Sequence, residues 1–373
     1  MKIAINCAFY YPKAGGIKEY IYNVVWNLSR INATYEFVLY FPDNFMAYAE
    51  ETLPKEFRKK SLGFTTNQAI KRSLLEQAFW SKEERLERFD LFHSPFFHSP
   101  KFRNAKVILT VHDLRLETLP QTYSKLRLLF LKYKVPKSIK RADHIITISS
   151  FTKSEVMKYY GVAPAKITPI LEAINFDFFN KNNVDDTLRV LDSPFVLTVG
   201  HIETRKNYVR LIDAYEQFLQ RNPQSSVKLV IVGQLSHGYD EFLSRVERNP
   251  RVIYKNFVES DVLLWLYKHA EFFIMPSIYE GFGFPPLEAA AMGTVSAVSN
   301  VSSLPEVCGE AAYYFDPFSV EEISRSFDKL LFDVTYKDEL LELTKKNLNR
   351  FSWTRNVEET LQVYGNVLET KLS

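Results

Sequence analysis

The apolar residues of the chain fall into short runs, and helical patterns separate these runs. The runs are 2–7, 36–40, 106–111 and 144–149 in the first half, and 195–200, 227–233, 251–256, 271–276 and 294–299 in the second half. Short apolar runs that alternate with helices indicate βα units, whose parallel strands are buried on both faces of the sheet. The two series predict an α/β fold with two doubly wound parallel-sheet domains.

A polar segment separates the two series. Residues 174–194 are rich in Asn and Asp, which is typical of a linker. We place the first domain at 1–175, the linker at 176–194 and the second domain at 195–354. The remaining residues, 355–373, have one apolar face, and we expect them to form a helix that packs back on the first domain.

The composition indicates a globular protein without a predicted spanning helix. The chain has 373 residues, of which 46% are hydrophobic and 24% are charged, as in globular proteins of about two domains. No stretch of 18 consecutive apolar residues predicts a spanning helix, and the first residues resemble a strand more than a signal peptide. Cys7 and Cys308 lack the spacing of metal ligands and fit a reducing compartment. We therefore expect a cytoplasmic protein.

The net charge of +3 conceals an asymmetry between the two halves. Residues 1–190 contain 29 Lys and Arg against 19 Asp and Glu, whereas the rest of the chain contains 18 against 25. A basic half predicts an anionic partner. Segment 123–144 mixes cations with leucines and aromatic residues, so it predicts either a surface for anionic membranes or a core-packed helix with a solvated cationic face. No nucleic-acid-binding motif is present, so we expect no nucleic-acid partner.

Ligands of open α/β sheets bind beyond the carboxyl ends of the strands, so the residues that follow predicted strands are the candidates for chemistry. Gly15 and Gly16 follow the first strand and precede a helix, where backbone N–H groups can bind a phosphate. A plain strand-to-helix turn is the alternative. His112 follows run 106–111, where it either hydrogen-bonds a substrate hydroxyl or caps the strand end.

Two adjacent cations follow the first strand of the second half. Arg205 and Lys206 stand at the start of a helix, a pattern that predicts a diphosphate site unless the two are solvated surface charges. Gly233 ends another strand of this half, and we expect Val258 to form a wall of the same site.

Residues 277–293 read SIYEGFGFPPLEAAAMG and carry two glutamates eight positions apart. A Pro-Pro pair predicts the start of a helix, which places Glu280 in a loop and Glu288 in the first helical turn, where the helix dipole favours a negative charge. Between the glutamates lie Gly281, Phe282, Gly283 and Phe284. The glycines free backbone N–H groups for a ligand, while core packing is the alternative role of the phenylalanines.

Together these motifs resemble the retaining glycosyltransferases of family 4, glycosyltransferase group 1, which have the GT-B fold. The resemblance runs from Gly15 to the terminal helix through the elements GG, VHDL, RKN, EGFGFPPLE, LPEVCGEAAYYFDP and FSW. FHSP together with TVHDL is similar to mannosyltransferases of bacterial surface polysaccharide assembly. The resemblance implies two Rossmann-like domains that face each other across a cleft, the first binding the acceptor and the second the sugar nucleotide.

The resemblance also implies a role for each candidate residue. The catalytic residues would be His112 near the anomeric carbon, Arg205 and Lys206 on the donor diphosphate, and Glu280 on hydroxyls of the transferred sugar. Glu288 would bind the ribose, and the other donor contacts would come from Gly15, Gly16, Gly233, Val258, Phe282, Gly283 and Phe284.

The expected activity is a retaining hexosyl transfer, with mannose from GDP-mannose as the best match. The acceptor would be a saccharide or a lipid-linked saccharide in O-antigen or capsule synthesis. No D-x-D motif is present, so we expect no metal and no cofactor, with the nucleotide sugar as substrate. A sugar-nucleotide epimerase of the same architecture and a non-catalytic sugar-nucleotide-binding module are the alternatives. The sequence leaves the donor base, the sugar, the acceptor and the oligomeric state open.

Overall fold

The chain divides into two compact units, each built on a parallel sheet. The computed structural model describes residues 1–12, 15–31, 35–66, 69–180, 182 and 184–369, with no side chain described for 69–74. The first unit comprises residues 1–172 and the chain from Ser352 onward, and the second comprises Ala173–Phe351. The prediction of two parallel-sheet α/β domains is confirmed.

The first unit contains a seven-stranded sheet. Its strands are β1 (Lys2–Asn6), β2 (Glu36–Phe41), β3 (Arg58–Ser61), β4 (Leu91–Ser94), β5 (Lys106–Val111), β6 (His144–Thr147) and β7 (Ile167–Pro169). Its helices within residues 1–172 are α1 (Gly16–Arg30), α2 (Met46–Thr52), α3 (Ala69–Glu87), α4 (Arg115–Thr118), α5 (Lys125–Arg141) and α6 (Ser150–Tyr160). The strand order is β3-β2-β1-β4-β5-β6-β7, with every pair parallel.

The second unit contains a six-stranded sheet and a two-stranded one. Its strands are β8 (Phe195–Val199), β9 (Ile202–Glu203), β10 (Lys228–Val232), β11 (Leu235–His237), β12 (Val252–Lys255), β13 (Phe272–Met275), β14 (Ser296–Ser299) and β15 (Ala312–Phe315). Its helices are α7 (Tyr208–Arg221), α8 (Asp240–Arg248), α9 (Ser260–His269), α10 (Phe284–Ala291), α11 (Leu304–Cys308), α12 (Val320–Phe332) and α13 (Val334–Leu348).

The strand order of the second unit explains which of its loops meet. The large sheet has the order β12-β10-β8-β13-β14-β15, and β9 pairs with β11. Strand β8 lies between β10 and β13, so the chain winds away from β8 in opposite directions. The loops that follow β8 and β13 therefore lie side by side at the carboxyl edge of the sheet, where α/β proteins bind ligands.

The last helix, α14 (Trp353–Glu369), packs against α1 in the first unit. Its Tyr364 hydroxyl lies 2.6 Å from Nδ1 of His93 in β4, and Asn356 Nδ2 donates to the Leu171 carbonyl at 2.9 Å. These buried polar contacts, and not only an apolar face, attach the terminal helix to the first sheet. Residues 370–373 of the predicted helix 355–373 lie outside the described residues.

The segment predicted as a linker, 176–194, groups with the second unit. Its Phe178, Phe179 and Leu188 pack against the buried cluster that contains Phe195. The segment is polar in composition, but its few apolar residues attach it to the second unit. Residues 181 and 183 lie outside the described part of the chain.

Gly233 follows β10 at a place where there is no room for a side chain. A Cβ atom there would lie 1.9 Å from the carbonyl oxygen of Gly200, which follows the neighbouring strand β8. At Gly293 no atom lies within 4 Å of the corresponding position, although its φ of +83° favours glycine.

We predict that Gly233→Ala lowers the free energy of unfolding by about 3 kcal/mol or more, because the backbone of two strand ends must separate. Gly293→Ala should cost only about 1–2 kcal/mol, the strain of a left-handed backbone. Differential scanning calorimetry of both variants measures the difference. Equal shifts of the unfolding temperature would show that the close approach of the strand ends is not the constraint.

Candidate active site

The loops after β8 and β13 bring Arg205, Lys206 and Glu280 into direct contact. The two cations lie in a 3-10 turn, Thr204–Lys206, between β9 and α7. Lys206 Nζ is 2.7 Å from Glu280 Oε1, and Arg205 Nη1 is 2.8 Å from Glu280 Oε2. One carboxylate therefore bridges both cations.

Charges within this cluster are balanced. Besides Glu280, Arg205 contacts a second carboxylate, because its Nε lies 2.6 Å from Oε1 of Glu203 at the end of β9. Two cations thus face two carboxylates. An anionic ligand that binds Arg205 and Lys206 must compete with Glu280 for them, which the sequence pattern of two adjacent cations does not reveal.

Both members of the closest pair are nearly buried, since Lys206 is 6% and Glu280 is 8% exposed. Burial by itself would raise the pKa of Glu280, but the charges of Arg205 and Lys206 outweigh burial and hold this pKa at about 2. Burial lowers the pKa of Lys206, and the Glu280 carboxylate opposes that effect. The Glu280 carboxylate is therefore ionised at every pH at which the protein would work.

Hydrogen bonds to backbone carbonyls hold the two loops together. Arg205 Nη1 donates to the Tyr279 carbonyl at 3.0 Å, and the Ile278 N–H donates to the Arg205 carbonyl at 2.8 Å. Asn207, which has a left-handed φ of 62°, uses its Nδ2 to donate to the carbonyls of Pro276 at 3.0 Å and Pro317 at 2.7 Å. These bonds fix the position of the cations relative to Glu280.

The predicted donor residues between the two glutamates are packed into the unit. Phe282 is 3% exposed, and its ring centroid lies 5.2 Å from that of Phe284 and 6.0 Å from that of Phe351. Gly283 precedes α10 with φ +115°, and a Cβ there would approach Leu304 Cδ2 to 2.7 Å. Only backbone atoms of Phe282 remain for a ligand, as the core-packing alternative predicts.

The prediction that Glu288 lies in the first helical turn is wrong. Helix α10 begins at Phe284, ahead of the Pro-Pro pair, so Glu288 lies in the second turn, and the first turn contains no acidic residue. The Glu288 carboxylate instead accepts a hydrogen bond from the Tyr267 hydroxyl of α9 at 2.5 Å. A neighbouring helix, and not the helix dipole, positions this side chain.

The two remaining predicted residues of the second unit lie after β10 and β12. The Gly233 N–H donates to the Lys255 carbonyl at 2.9 Å. Val258 is half-buried against the apolar cluster of this unit, and the neighbouring Phe257 is 63% exposed. Within the described part of the chain, neither Gly233 nor Val258 hydrogen-bonds to Arg205, Lys206 or Glu280.

The other predicted residues lie in the first unit. Gly15 has φ +60° and immediately precedes α1, whose first residue is Gly16. His112 follows β5, with Nε2 at 3.0 Å from the Pro95 carbonyl oxygen and Nδ1 at 3.2 Å from Oε1 of Glu172. Both ring nitrogens are therefore already engaged within this unit.

Within the described ranges, no group of three or more His, Cys, Asp or Glu side chains is arranged to hold a metal ion. Nor does any described helix combine the length and the apolar composition that a membrane crossing needs.

Comparison with known families decides the kind of protein. A family model described as "Glycosyl transferases group 1" matches residues 180–368, and a model described as "Glycosyltransferase Family 4" matches residues 14–178. The chain belongs to the group 1 glycosyltransferases.

Two curated relatives of this glycosyltransferase come from Escherichia coli. The chain is 30% identical to O-antigen chain mannosyltransferase B over 283 residues, which are 74% of each chain. It is also 30% identical over 241 residues to the serotype-specific mannosyltransferase WbdA, and this match covers 62% of the chain but 29% of WbdA. The chain thus spans less than a third of the length of WbdA.

Among solved structures, the Anabaena protein HepE in complex with UDP-glucose has a TM-score of 0.73 at 15% identity, and the match covers 98% of this chain and 100% of HepE. At that identity the likeness bears on the fold alone, and the predicted GT-B fold is confirmed.

Three residues of the glycosyltransferase that position predicted site residues were missed in the sequence. They are Glu172 beside His112, Glu203 beside Arg205, and Asn207 between the loops of the second unit. Asn207 belongs to the RKN motif. Because asparagine adopts the left-handed conformation more readily than most residues, an asparagine just before a predicted helix was a usable signal. Glu172 and Glu203 carry no local signal, because their partners are defined by the tertiary fold.

We predict that Glu280→Gln lets this glycosyltransferase bind nucleoside diphosphates more tightly, by about tenfold, since Arg205 and Lys206 lose their shared counter-charge. Loss of a partner for buried Lys206 should also lower the unfolding temperature. Isothermal titration with GDP and UDP measures the affinities. Glu288→Gln changes the other glutamate of this segment and is the contrasting variant, and we expect it to weaken binding. Weaker binding in Glu280→Gln would show that the carboxylate does not compete with the ligand.

Proposed function

We propose that this glycosyltransferase transfers mannose from GDP-mannose to a saccharide or lipid-linked saccharide acceptor during the synthesis of a bacterial surface polysaccharide such as O-antigen or capsule. The observation that carries the proposal is the cluster of Arg205, Lys206 and Glu280 at the carboxyl edge of the second sheet. The curated relatives, which are named as mannosyltransferases, support the choice of sugar.

The cluster suits a reaction in which a nucleoside diphosphate departs. As the bond between the anomeric carbon and the phosphate oxygen breaks, negative charge grows on the diphosphate, and Arg205 and Lys206 stabilise that charge. The hydrogen bond from Arg205 to the Tyr279 carbonyl fixes one of these cations beforehand, whereas Glu280 must give up its contacts with both when the diphosphate binds. We propose that this pair replaces a metal ion.

When the diphosphate displaces Glu280 from Arg205 and Lys206, the Glu280 carboxylate can take a second role. Once phosphate oxygens bind Arg205 and Lys206, the carboxylate is free to accept hydrogen bonds from hydroxyls of the transferred sugar. We propose that Glu288 binds the ribose of the donor, and that backbone groups at Gly283 bind another part of it.

The stereochemical course we propose is retention. The acceptor hydroxyl attacks the anomeric carbon from the face that the diphosphate leaves, and a phosphate oxygen of the leaving group takes the hydroxyl proton. The new glycosidic bond then has the configuration of the donor, and no enzyme carboxylate is required as a nucleophile.

We predict that a panel of nucleotide sugars gives release of GDP from GDP-mannose, with an α-linked product by NMR when acceptor is added. Arg205→Ala and Lys206→Ala should each lower turnover by about 100-fold or more, because each removes a charge that stabilises the leaving group. EDTA should have no effect. As a control, Lys345→Ala removes an exposed lysine of the same unit and should keep full activity.

Several outcomes contradict parts of this proposal. Preference for another donor overturns the choice of GDP-mannose, and activity that EDTA removes and Mg²⁺ restores overturns metal independence. Epimerisation of the donor without an acceptor favours the epimerase alternative. Donor binding without any turnover favours a non-catalytic module.

The membrane surface expected from the basic half corresponds to helix α5. This helix has seven Lys and Arg residues and no Asp or Glu. Leu131, Val135 and Ile139 are its buried apolar residues. Leu126 and Leu129 are 84% and 71% exposed, so they are not needed for packing within the unit.

We propose that this face of α5 rests on an anionic lipid surface that carries the acceptor. Tyr133, 62% exposed, extends the apolar stripe of Leu126 and Leu129 along the helix, and the Lys137 ammonium lies 3.4 Å from the centre of its ring. Exposed leucines that alternate with cations match the boundary between headgroups and acyl chains, and each cation adds about 1 kcal/mol near an anionic leaflet.

We predict that the protein co-sediments with vesicles containing anionic lipid and is released as salt shortens the Debye length from about 10 Å to about 3 Å. Changing Lys132, Lys134, Lys137 and Lys140 to Glu should abolish sedimentation, whereas changing the same four to Arg should preserve it. Leu126→Ser with Leu129→Ser should weaken it at every salt concentration. Equal sedimentation with neutral and anionic vesicles would refute a charge-dependent surface.

A further inference from the structure

A buried carboxylate faces the histidine of the first unit. Glu172 is 1% exposed, follows β7, and is the last residue before the chain crosses to the second unit. Its Oε1 lies 3.2 Å from Nδ1 of His112. A carboxyl group buried to this extent needs a polar or charged partner.

The surroundings of the His112 ring determine its protonation. Nε2 lies 3.0 Å from the Pro95 carbonyl oxygen, which can only accept a hydrogen bond, so Nε2 carries a hydrogen. Nδ1 lies 3.2 Å from Glu172 Oε1, and this neighbour raises the pKa of His112, so a hydrogen on Nδ1 is stabilised as well. A ring with a hydrogen on both nitrogens is an imidazolium.

The titratable groups that face His112 come from four elements. Glu172 lies after β7, Asp113 follows His112 in the chain, the Tyr20 ring of α1 lies 5.0 Å away, and His93 lies in β4. Burial lowers the pKa of His112, but Glu172, the Pro95 carbonyl and Asp113 outweigh burial, and the pKa is raised.

The second buried histidine does not share the charge. Burial and the charge of His112 lower the pKa of His93 to about 3. His93 is therefore neutral, and it bridges the Thr110 hydroxyl at 2.8 Å and the Tyr364 hydroxyl at 2.6 Å. The positive charge of this buried network stays on His112.

We propose that Glu172 is a positioning residue that fixes the His112 ring and holds it as an imidazolium, so that His112 acts as a fixed cation and not as a general base. Its kinetic consequence rests on the proposed function and on the place near the anomeric carbon that the resemblance to family 4 implies for His112. The proton of the acceptor must then leave through another group, which agrees with its transfer to the departing phosphate.

The sign of the pH dependence follows from the raised pKa. The stability that the His112–Glu172 pair contributes is fully present below the unfolded histidine pKa of about 6.5 and is lost as the pH rises through the folded pKa. A fixed cation likewise predicts activity that falls on the basic side, whereas a general base predicts activity that rises there.

NMR titration of the histidine ring protons in the full chain tests the proposal without any substrate. His112→Asn identifies the resonance. We expect Glu172→Gln, which keeps the shape and an acceptor but removes the charge, to lower the pKa of His112 by about one unit or more. Glu172→Asp should restore part of the shift. Glu117→Gln, a carboxylate of the same unit that bonds Tyr160 and Lys132, is the control.

The same variants then decide the kinetic part. Glu172→Gln should move the basic limb of the kcat profile to lower pH, so that turnover between the two limbs falls about tenfold, and Glu172→Asp should recover much of it. An unchanged His112 pKa in folded Glu172→Gln overturns the proposal, as does a rate that rises with pH. A shifted pKa in a chain that turns over no donor supports the assignment to Glu172 and contradicts the proposed function alone.

Discussion

The site of the second unit depends on the charge balance around Arg205 and Lys206. Two cations brought out of water need counter-charges, and Glu280 and Glu203 supply them within the unit itself. Because Glu280 comes from the loop after β13 and the cations from the turn after β9, this balance also joins the two loops. The position of the cations and the packing of the loop that contains Glu280 are consequences of one buried ionic cluster.

Strand order explains why the sequence identifies the members of this cluster but not their contacts. Arg205, Lys206 and Glu280 were found because parallel strands place their following residues at one edge. The pairing of one carboxylate with both cations depends on β8 and β13 being neighbours, which no local pattern contains. For the same reason Glu172, about sixty residues beyond His112, was missed. The error at Glu288 was local, since α10 begins ahead of its prolines.

Several strands were not predicted, because they are polar or too short to form an apolar run. Each of the nine predicted runs contains a strand, but β3 is the charged edge sequence Arg58–Ser61, and β4 contains His93 and Ser94. Both polar residues of β4 are buried and hydrogen-bonded, to Thr110 and to the His98 carbonyl. Only Leu91 and Phe92 of β4 are apolar, too short a run to indicate a strand, although β4 is central to the sheet. Strands β7 and β15 have only three and four residues, too few for a pattern.

Because α14 completes the first unit, the order of synthesis and the order of folding differ in this protein. A ribosome that has made the first 172 residues must add the whole second unit before Trp353 appears, roughly 10–40 s later at ordinary elongation rates. During that interval the His93 ring lacks Tyr364, and the surface of α1 that receives α14 is uncovered. The nascent first unit therefore exposes this surface of α1 until the last helix is made, and a chain that stops before Trp353 leaves it exposed.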